Sequence, residues 1–237
     1  EAYCQESSLD EKELDEILQM EQFVNVRFLK KELIPDQDWN ATWEASYDPV
    51  IINNLCRIRA PFHRVEDSYK YDLIIEPKMS FGTAHHETTS QIIELMLQSD
   101  FSGLDVLDMG SGTGVLAILA KKLGSATTVA IDNDEWAYRN ALDNINLNDE
   151  NDIVVELGDA NSLNDRKFDV ILANINRNIL LRDMNEYVKC LVSDGKIFFS
   201  GFYEEDLALI KKEAERLGLK YLNHTTKNNW TAAVFEK

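Results

Sequence analysis

The chain has 237 residues, 44% of them hydrophobic, enough to bury one full domain and a smaller companion. Its 24 basic residues stand against 42 acidic ones, a formal net charge of −18, and residues 1–48 hold 13 acids against 4 bases. Such a surface repels nucleic-acid backbones and anionic membranes, and it suits either plain solubility or a basic protein partner.

Cys4, Cys56 and Cys190 lie far apart without a C-x-x-C pair, which argues against a disulfide framework and a zinc site and fits a reducing cytosol. No metal is expected. No apolar run approaches membrane-spanning length, and the opening EAYCQESS lacks a signal peptide's basic and apolar regions. A cytoplasmic monomer is the expectation, with no membrane and no direct nucleic-acid partner.

Ser8 and Glu11 form a capping-box pattern before a helix with Leu14, Ile17 and Leu18 on one face. FVNVRFL then alternates, placing Val24, Val26 and Phe28 on one side of a half-buried strand. One helix and one or two strands do not close a core, so residues 1–33 are expected to be part of an incomplete α+β unit. Residues 34–49 form a connector with a short helix in which Trp39 and Trp43 share a face. Short strands are expected over 50–76.

From about residue 86 helices and strands alternate. Helices are expected near 87–98, 114–123, 135–147, 179–191 and 204–217. Strands are expected at 104–109, 127–131, 153–157, 168–173 and 196–200, and the strand-like LKYLNH and WTAAVFE come last. FDVILAN and KIFFS are apolar without clean alternation, as strands covered on both faces should be. The pattern predicts a Rossmann-like, doubly wound α/β sheet with an antiparallel hairpin at one edge. Ligands of such sheets sit beyond the carboxyl ends of the strands.

The first of these strands runs into LDMGSGTG, whose Gly110, Gly112 and Gly114 expose backbone N–H groups at a helix N-terminus. Alone the turn is also compatible with a tight strand-to-helix connection. A dinucleotide fingerprint needs glycine where Val115 stands, and a P-loop needs a Lys that is absent. Asp108 opposes a pyrophosphate and attracts an ammonium group. Asp132 ends the second strand, where a carboxylate accepts ribose hydroxyls, and Asp159 ends the third, within reach of an adenine amino group. S-adenosyl-L-methionine combines adenine, ribose and a cationic amino-acid tail without phosphate. Asn174 ends the fourth strand. Its amide cannot act as a base, but with backbone carbonyls it could orient a substrate amine toward the methyl group. Trp136 fits either an adenine face or core packing.

FGTAHHETT, residues 81–89, precedes the domain, with Thr88 and Thr89 able to cap the helix that follows. Together with LDMGSGTG, AIDND, ANINRN and the SGFY after strand five, this stretch resembles the PrmA family, the ribosomal protein L11 methyltransferases. The resemblance covers essentially the whole chain. It implies cofactor contacts at Thr89, Gly110, Asp132 and Asn174, with a histidine at His86 and a variable position at His85. His86 could accept a proton from an ammonium substrate or fix its loop by hydrogen bonds, and the second role is preferred. Two departures stand out. Ala84 replaces the family's usual glycine, which strains the loop if that position needs φ > 0. The N-terminal substrate-recognition domain also looks incomplete.

The expectation is therefore a partial, ferredoxin-like recognition unit at 1–33, a linker helix at 34–49 and a methyltransferase domain at 50–237. Its expected activity is methylation of lysine side chains or the N-terminal amine of a basic large-subunit ribosomal protein. Catalytic positions are Asn174 and His86; cofactor positions are Thr89, Asp108, Gly110, Gly112, Asp132, Asp159 and Asn174. The alternatives are a methyltransferase of RNA or a small molecule, a cofactor-binding module without activity and, further off, a nicotinamide oxidoreductase.

Overall fold

The computed structural model of the chain describes residues 9–20, 25, 30, 44, 46–66, 68–78 and 82–237. Two compact units divide it, Glu1–Tyr47 and Asp48–Lys237. The expected strand residues Val24, Val26 and Phe28, the tryptophans Trp39 and Trp43, and Ser8, Cys4 and Phe81 lie outside the described residues.

In the first unit α1 spans Glu11–Leu18. Its N-cap is Asp10, whose carboxylate accepts the Lys12 and Glu13 N–H groups at 2.8 and 3.3 Å, so the helix does not start from the Ser8 pattern. Both residue types cap well, and the one adjacent to the first helical turn reaches the orphan donors. Leu14, Ile17 and Leu18 are half-buried, sharing the face their spacing predicts.

The second unit holds two sheets. The small one joins β1 (Val50–Ile52), β2 (Cys56–Arg59) and β3 (Tyr71–Ile74) in that order, antiparallel and then parallel. Asn53 and Asn54 turn the β1–β2 hairpin at φ 52° and 53°, a conformation asparagine tolerates well. Arg57 and Arg59 are buried in β2, and each donates its Nε to one oxygen of Asp72. Burial pushes the Cys56 thiol up to about 12, helped by the Asp72 charge, and raises that of Cys190 as well; both are inert core groups.

The large sheet follows α2 (Glu87–Leu97). In chain order it is built from β4 (Asp105–Met109), α3 (Val115–Lys122), β5 (Thr127–Asp132), α4 (Glu135–Leu147), β6 (Val154–Leu157), β7 (Phe168–Asn174), α5 (Arg177–Cys190), β8 (Leu191–Tyr203), α6 (Leu207–Arg216), β9 (Lys220–Lys227) and β10 (Trp230–Glu236). Spatial order is β6-β5-β4-β7-β8-β10-β9. All neighbours are parallel except β10, which runs antiparallel to both β8 and β9. The expected late hairpin is present, inserted so that β9 takes the edge.

Alternate residues of the central strands feed two apolar layers. Val106, Phe198 and Val234 join the layer of α2 and α3, with Ile92, Met96 and Leu119; Leu107, Phe199 and Phe235 join that of α5 and α6, with Leu180, Tyr187 and Ile210. Each fully buried side chain of this size contributes about 1.5–3 kcal/mol, which makes the double-faced sheet a rigid platform. Several boundaries differ from expectation: α5 starts at Arg177, capped by Asn176, and β8 is longer at both ends, from Leu191 to Tyr203. The last helix begins at Leu207, after a 3-10 turn over Glu204–Asp206.

Candidate active site

The strand order reverses between β4 and β7, where a doubly wound sheet opens a crevice at its carboxyl end. Met109 and Ala173 pair there, so the glycine turn after β4 and Asn174 are neighbours. Gly110, Gly112 and Gly114 have φ of 70°, 55° and 77°, a region costly for other residues. Gly110 also needs its bare Cα because a Cβ would meet Ile175 Cγ1 at 2.7 Å. The N–H groups of Gly110 and Ser111 both donate to Ile131 O, anchoring the turn to the end of β5.

Asp132 receives the Gly112 N–H on Oδ2 at 2.8 Å and the Asp134 N–H on Oδ1 at 3.0 Å. The carboxylate is half-buried, oriented by backbone and left with unused lone pairs on both oxygens. Asp159 is exposed; its Oδ1 accepts the Asn161 N–H at 2.9 Å and its Oδ2 the Asn161 Nδ2 at 3.2 Å.

Asp108 does not stand open at the turn's mouth. It is 1% exposed beneath the first turn of α3, with Oδ2 accepting the Ala117 N–H at 3.1 Å and Oδ1 without a hydrogen-bond partner. A strand covered on both faces has no solvent side to offer a carboxylate. Burial pushes its pKa from 3.8 to about 7; the Ala117 N–H opposes that rise and the nearby Asp132 charge adds to it.

Asn174 is held from the opposite side. Its Nδ2 donates to Thr89 Oγ1 at 3.1 Å, while its Oδ1 is buried and has no partner. The α2 cap is His86 rather than either threonine. His86 Nδ1 accepts the Thr88 N–H at 3.3 Å and lies 2.9 Å from Thr88 Oγ1, which leaves Thr89 to Asn174. With Nδ1 used as an acceptor, His86 ties its loop to the first turn of α2. His85 is exposed, its Nε2 2.9 Å from Asp48 O.

Ala84 has φ 64° and is buried, so the glycine-like backbone is kept by an alanine at a cost of about 1–2 kcal/mol. Gly82, in the same loop, accepts the Thr113 hydroxyl on its carbonyl at 2.7 Å, joining the two site loops. Trp136 is 77% exposed, which removes the core-packing alternative.

Three residues missed in the sequence complete the frame. A Cβ on Gly201 (φ 90°) would lie 2.4 Å from Ile175 O, so only glycine lets β8 pass the Asn174 corner. Thr113 is fully buried between the two loops. Asn144, also fully buried, donates from Nδ2 to Thr113 O at 2.9 Å and accepts the Glu76 N–H on Oδ1 at 2.8 Å. Asn140, Asn144 and Asn148 recur every fourth residue, so one face of α4 reads as an amide ladder, a signal available from spacing alone.

At the turn and the Asn174 corner, Asp108 Oδ1 and Asn174 Oδ1 are buried acceptors without a partner, the Ser111 hydroxyl can either donate or accept, and two carboxylates flank the turn. Two orphan acceptors beside two carboxylates fit a ligand rich in N–H and O–H groups, such as an ammonium and a ribose, and oppose a diphosphate.

Comparison with known proteins agrees with this chemistry. The sequence matches the family described as Ribosomal protein L11 methyltransferase (PrmA) over residues 1–237. A ribosomal protein L11 methyltransferase of Phocaeicola vulgatus is 46% identical over 239 residues, spanning 99% of this chain and 85% of that protein. The crystal structure of a ribosomal protein L11 methylase from Lactobacillus delbrueckii subsp. bulgaricus superposes with a TM-score of 0.73 at 26% identity, covering 80% of this chain and 98% of that one. A methyltransferase from Pyrococcus furiosus shares the fold, with a TM-score of 0.59 at 21% identity over 69% of this chain and 88% of its own.

Proposed function

Because the chain belongs to the ribosomal protein L11 methyltransferase (PrmA) family, we propose that it methylates amines of ribosomal protein L11, on lysine side chains, the N-terminal amine or both. S-adenosyl-L-methionine supplies an electrophilic methyl group on a sulfonium, so the protein's task is binding and alignment. The observation that carries this reading is Asn174: an amide held by Thr89 through Nδ2, with a buried Oδ1 free to accept a hydrogen from the substrate amine. Asn174 accepts but cannot deprotonate, so the amine's proton leaves to solvent after the nitrogen has been aimed.

Asp132 would hold the ribose hydroxyls, and Gly110 and Gly112 would let the amino-acid tail lie against bare backbone. Asp108 beneath the turn would favour an ammonium above it. Asp159 would face the adenine amino group and the exposed Trp136 ring would cover the adenine. The net charge of −18 favours a basic substrate protein by steering, in a cytoplasmic monomer whose residues 1–33 contribute to substrate recognition. Among the described residues no helix is long and apolar enough to cross a membrane.

The test is radiolabelled methyl transfer from S-adenosyl-L-methionine to purified ribosomal proteins by the full-length enzyme. Label in ribosomal protein L11, lost in Asn174→Ala, is the expected result. Label confined to RNA or small molecules overturns the reading.

A further inference from the structure

The pole that carries Asn174 continues along the neighbouring strand. Ser200 of β8 lies opposite Asn174, and β8 ends at Tyr203, about 10 Å further on. Tyr203 pairs with Trp230, the first residue of β10, and their rings lie 4.2 Å apart at 34°. The His86 ring meets Trp230 edge-on at 4.7 Å, in the same helical turn that presents Thr89 to Asn174. Trp230 is fixed from behind, its carbonyl receiving the side-chain N–H of the fully buried Gln91 at 2.9 Å. An aromatic row therefore leads outward from the Asn174 corner and ends on a Tyr203 side chain that is 45% exposed. Beyond it Tyr203, Glu204, Glu205 and Asn229 line an open cavity of about 670 Å³. Asp206 is neutralised by Arg177, whereas Glu204 and Glu205 face solvent.

We propose that this ledge receives the acceptor lysine of the substrate protein, a role that rests on the amine-methylating reading above. Tyr203 and Trp230 take the butyl stem and attract its ammonium through their ring faces, and Glu204 and Glu205 meet the neighbouring positive charges of a basic segment. Rings suit this task better than carboxylates alone. An ammonium loses N–H donors as methyl groups are added, yet it keeps its charge and its attraction to a π-face. The ledge thus holds a partly methylated lysine as readily as an unmodified one, while Asn174 orients whatever N–H remains.

The experiment uses full-length enzyme and purified ribosomal protein L11, with S-adenosylhomocysteine affinity measured by calorimetry as the control for folding and for the cofactor half of the site. Tyr203→Ala should raise KM for the protein substrate about tenfold, with Tyr203→Phe restoring most of the loss because the ring is kept. The double variant Glu204→Gln, Glu205→Gln should raise the same KM severalfold and flatten its salt dependence. S-adenosylhomocysteine affinity should stay within twofold in all three. A KM unchanged in both the Tyr203→Ala and the double variant overturns the proposal alone. A wild-type enzyme that binds S-adenosylhomocysteine yet leaves protein amines unlabelled overturns the parent reading, and the ledge's role with it.

Discussion

Asn174 Nδ2 donates to Thr89 Oγ1 at 3.1 Å, joining the end of β7 to the first turn of α2 across 85 positions of sequence. The bond fixes which end of the amide faces the crevice. Thr89→Val keeps the shape but removes the acceptor, so the amide loses its preferred orientation. Turnover is expected to fall about tenfold, and Thr89→Ser should retain most of the rate. Steady-state kinetics checks this; a wild-type kcat in Thr89→Val would detach Thr89 from the reaction.

Asp132 serves the backbone as well as the proposed ribose. Asp132→Ala strands the Gly112 and Asp134 N–H groups, for a stability loss of about 1–3 kcal/mol, and removes the acceptor for the ligand's hydroxyls. Affinity for S-adenosylhomocysteine should fall at least about a hundredfold by calorimetry. Binding within tenfold of wild type would move the ribose elsewhere.

The buried Asp108 makes stability depend on pH with an unusual sign. Its pKa rises from 3.8 to about 7 on folding, so between those values the native state holds a proton that the unfolded chain has released. Stability from this group is fully present below about pH 4, falls as pH rises toward 7 and is then lost, by at most about 4 kcal/mol. Asp108→Asn should flatten that slope and raise the melting temperature of the ligand-free protein at pH 8. It should also weaken cofactor binding. Thermal melts from pH 4 to 8 carry the test, and parallel curves for variant and wild type would contradict it.

Asn144 sits where three segments meet. Asn144→Ala leaves Thr113 O and the Glu76 N–H without their partners in a dry site, at a cost of about 2–4 kcal/mol. Because Thr113 also holds Gly82, cofactor affinity should drop together with stability, and Asn144→Asp should not rescue it, since a carboxylate cannot donate to Thr113 O. A stable variant with unaltered affinity would confine the ladder to scaffolding elsewhere.

Most of the platform could be read from residues. Apolar runs without alternation marked strands buried on both faces, and the spacing of the glycines with Asp132 and Asn174 located the crevice. What escaped depends on partners distant in sequence. Gly201 matters only because Ile175 passes within contact of it, and Thr89 is freed for Asn174 only because His86 takes the cap. Ser8 and Asp10 are equally good caps on paper; position relative to the first turn decides. Asp108 carries the same letter as Asp132 but lies mid-layer, and its burial follows from helix α3 packing above it. The Ala84 backbone, by contrast, meets the condition posed for it: φ is positive where an alanine replaces the family's usual glycine.

β10 is made after both of the strands it separates. A nascent chain that has reached only Lys227 therefore presents the rim of β8 bare and β9 with nothing to pair with, and Tyr203 lacks the ring it rests on. Completion of the sheet must wait for translation to deliver that final hairpin arm. Until then the region beside Asn174 lacks its working shape.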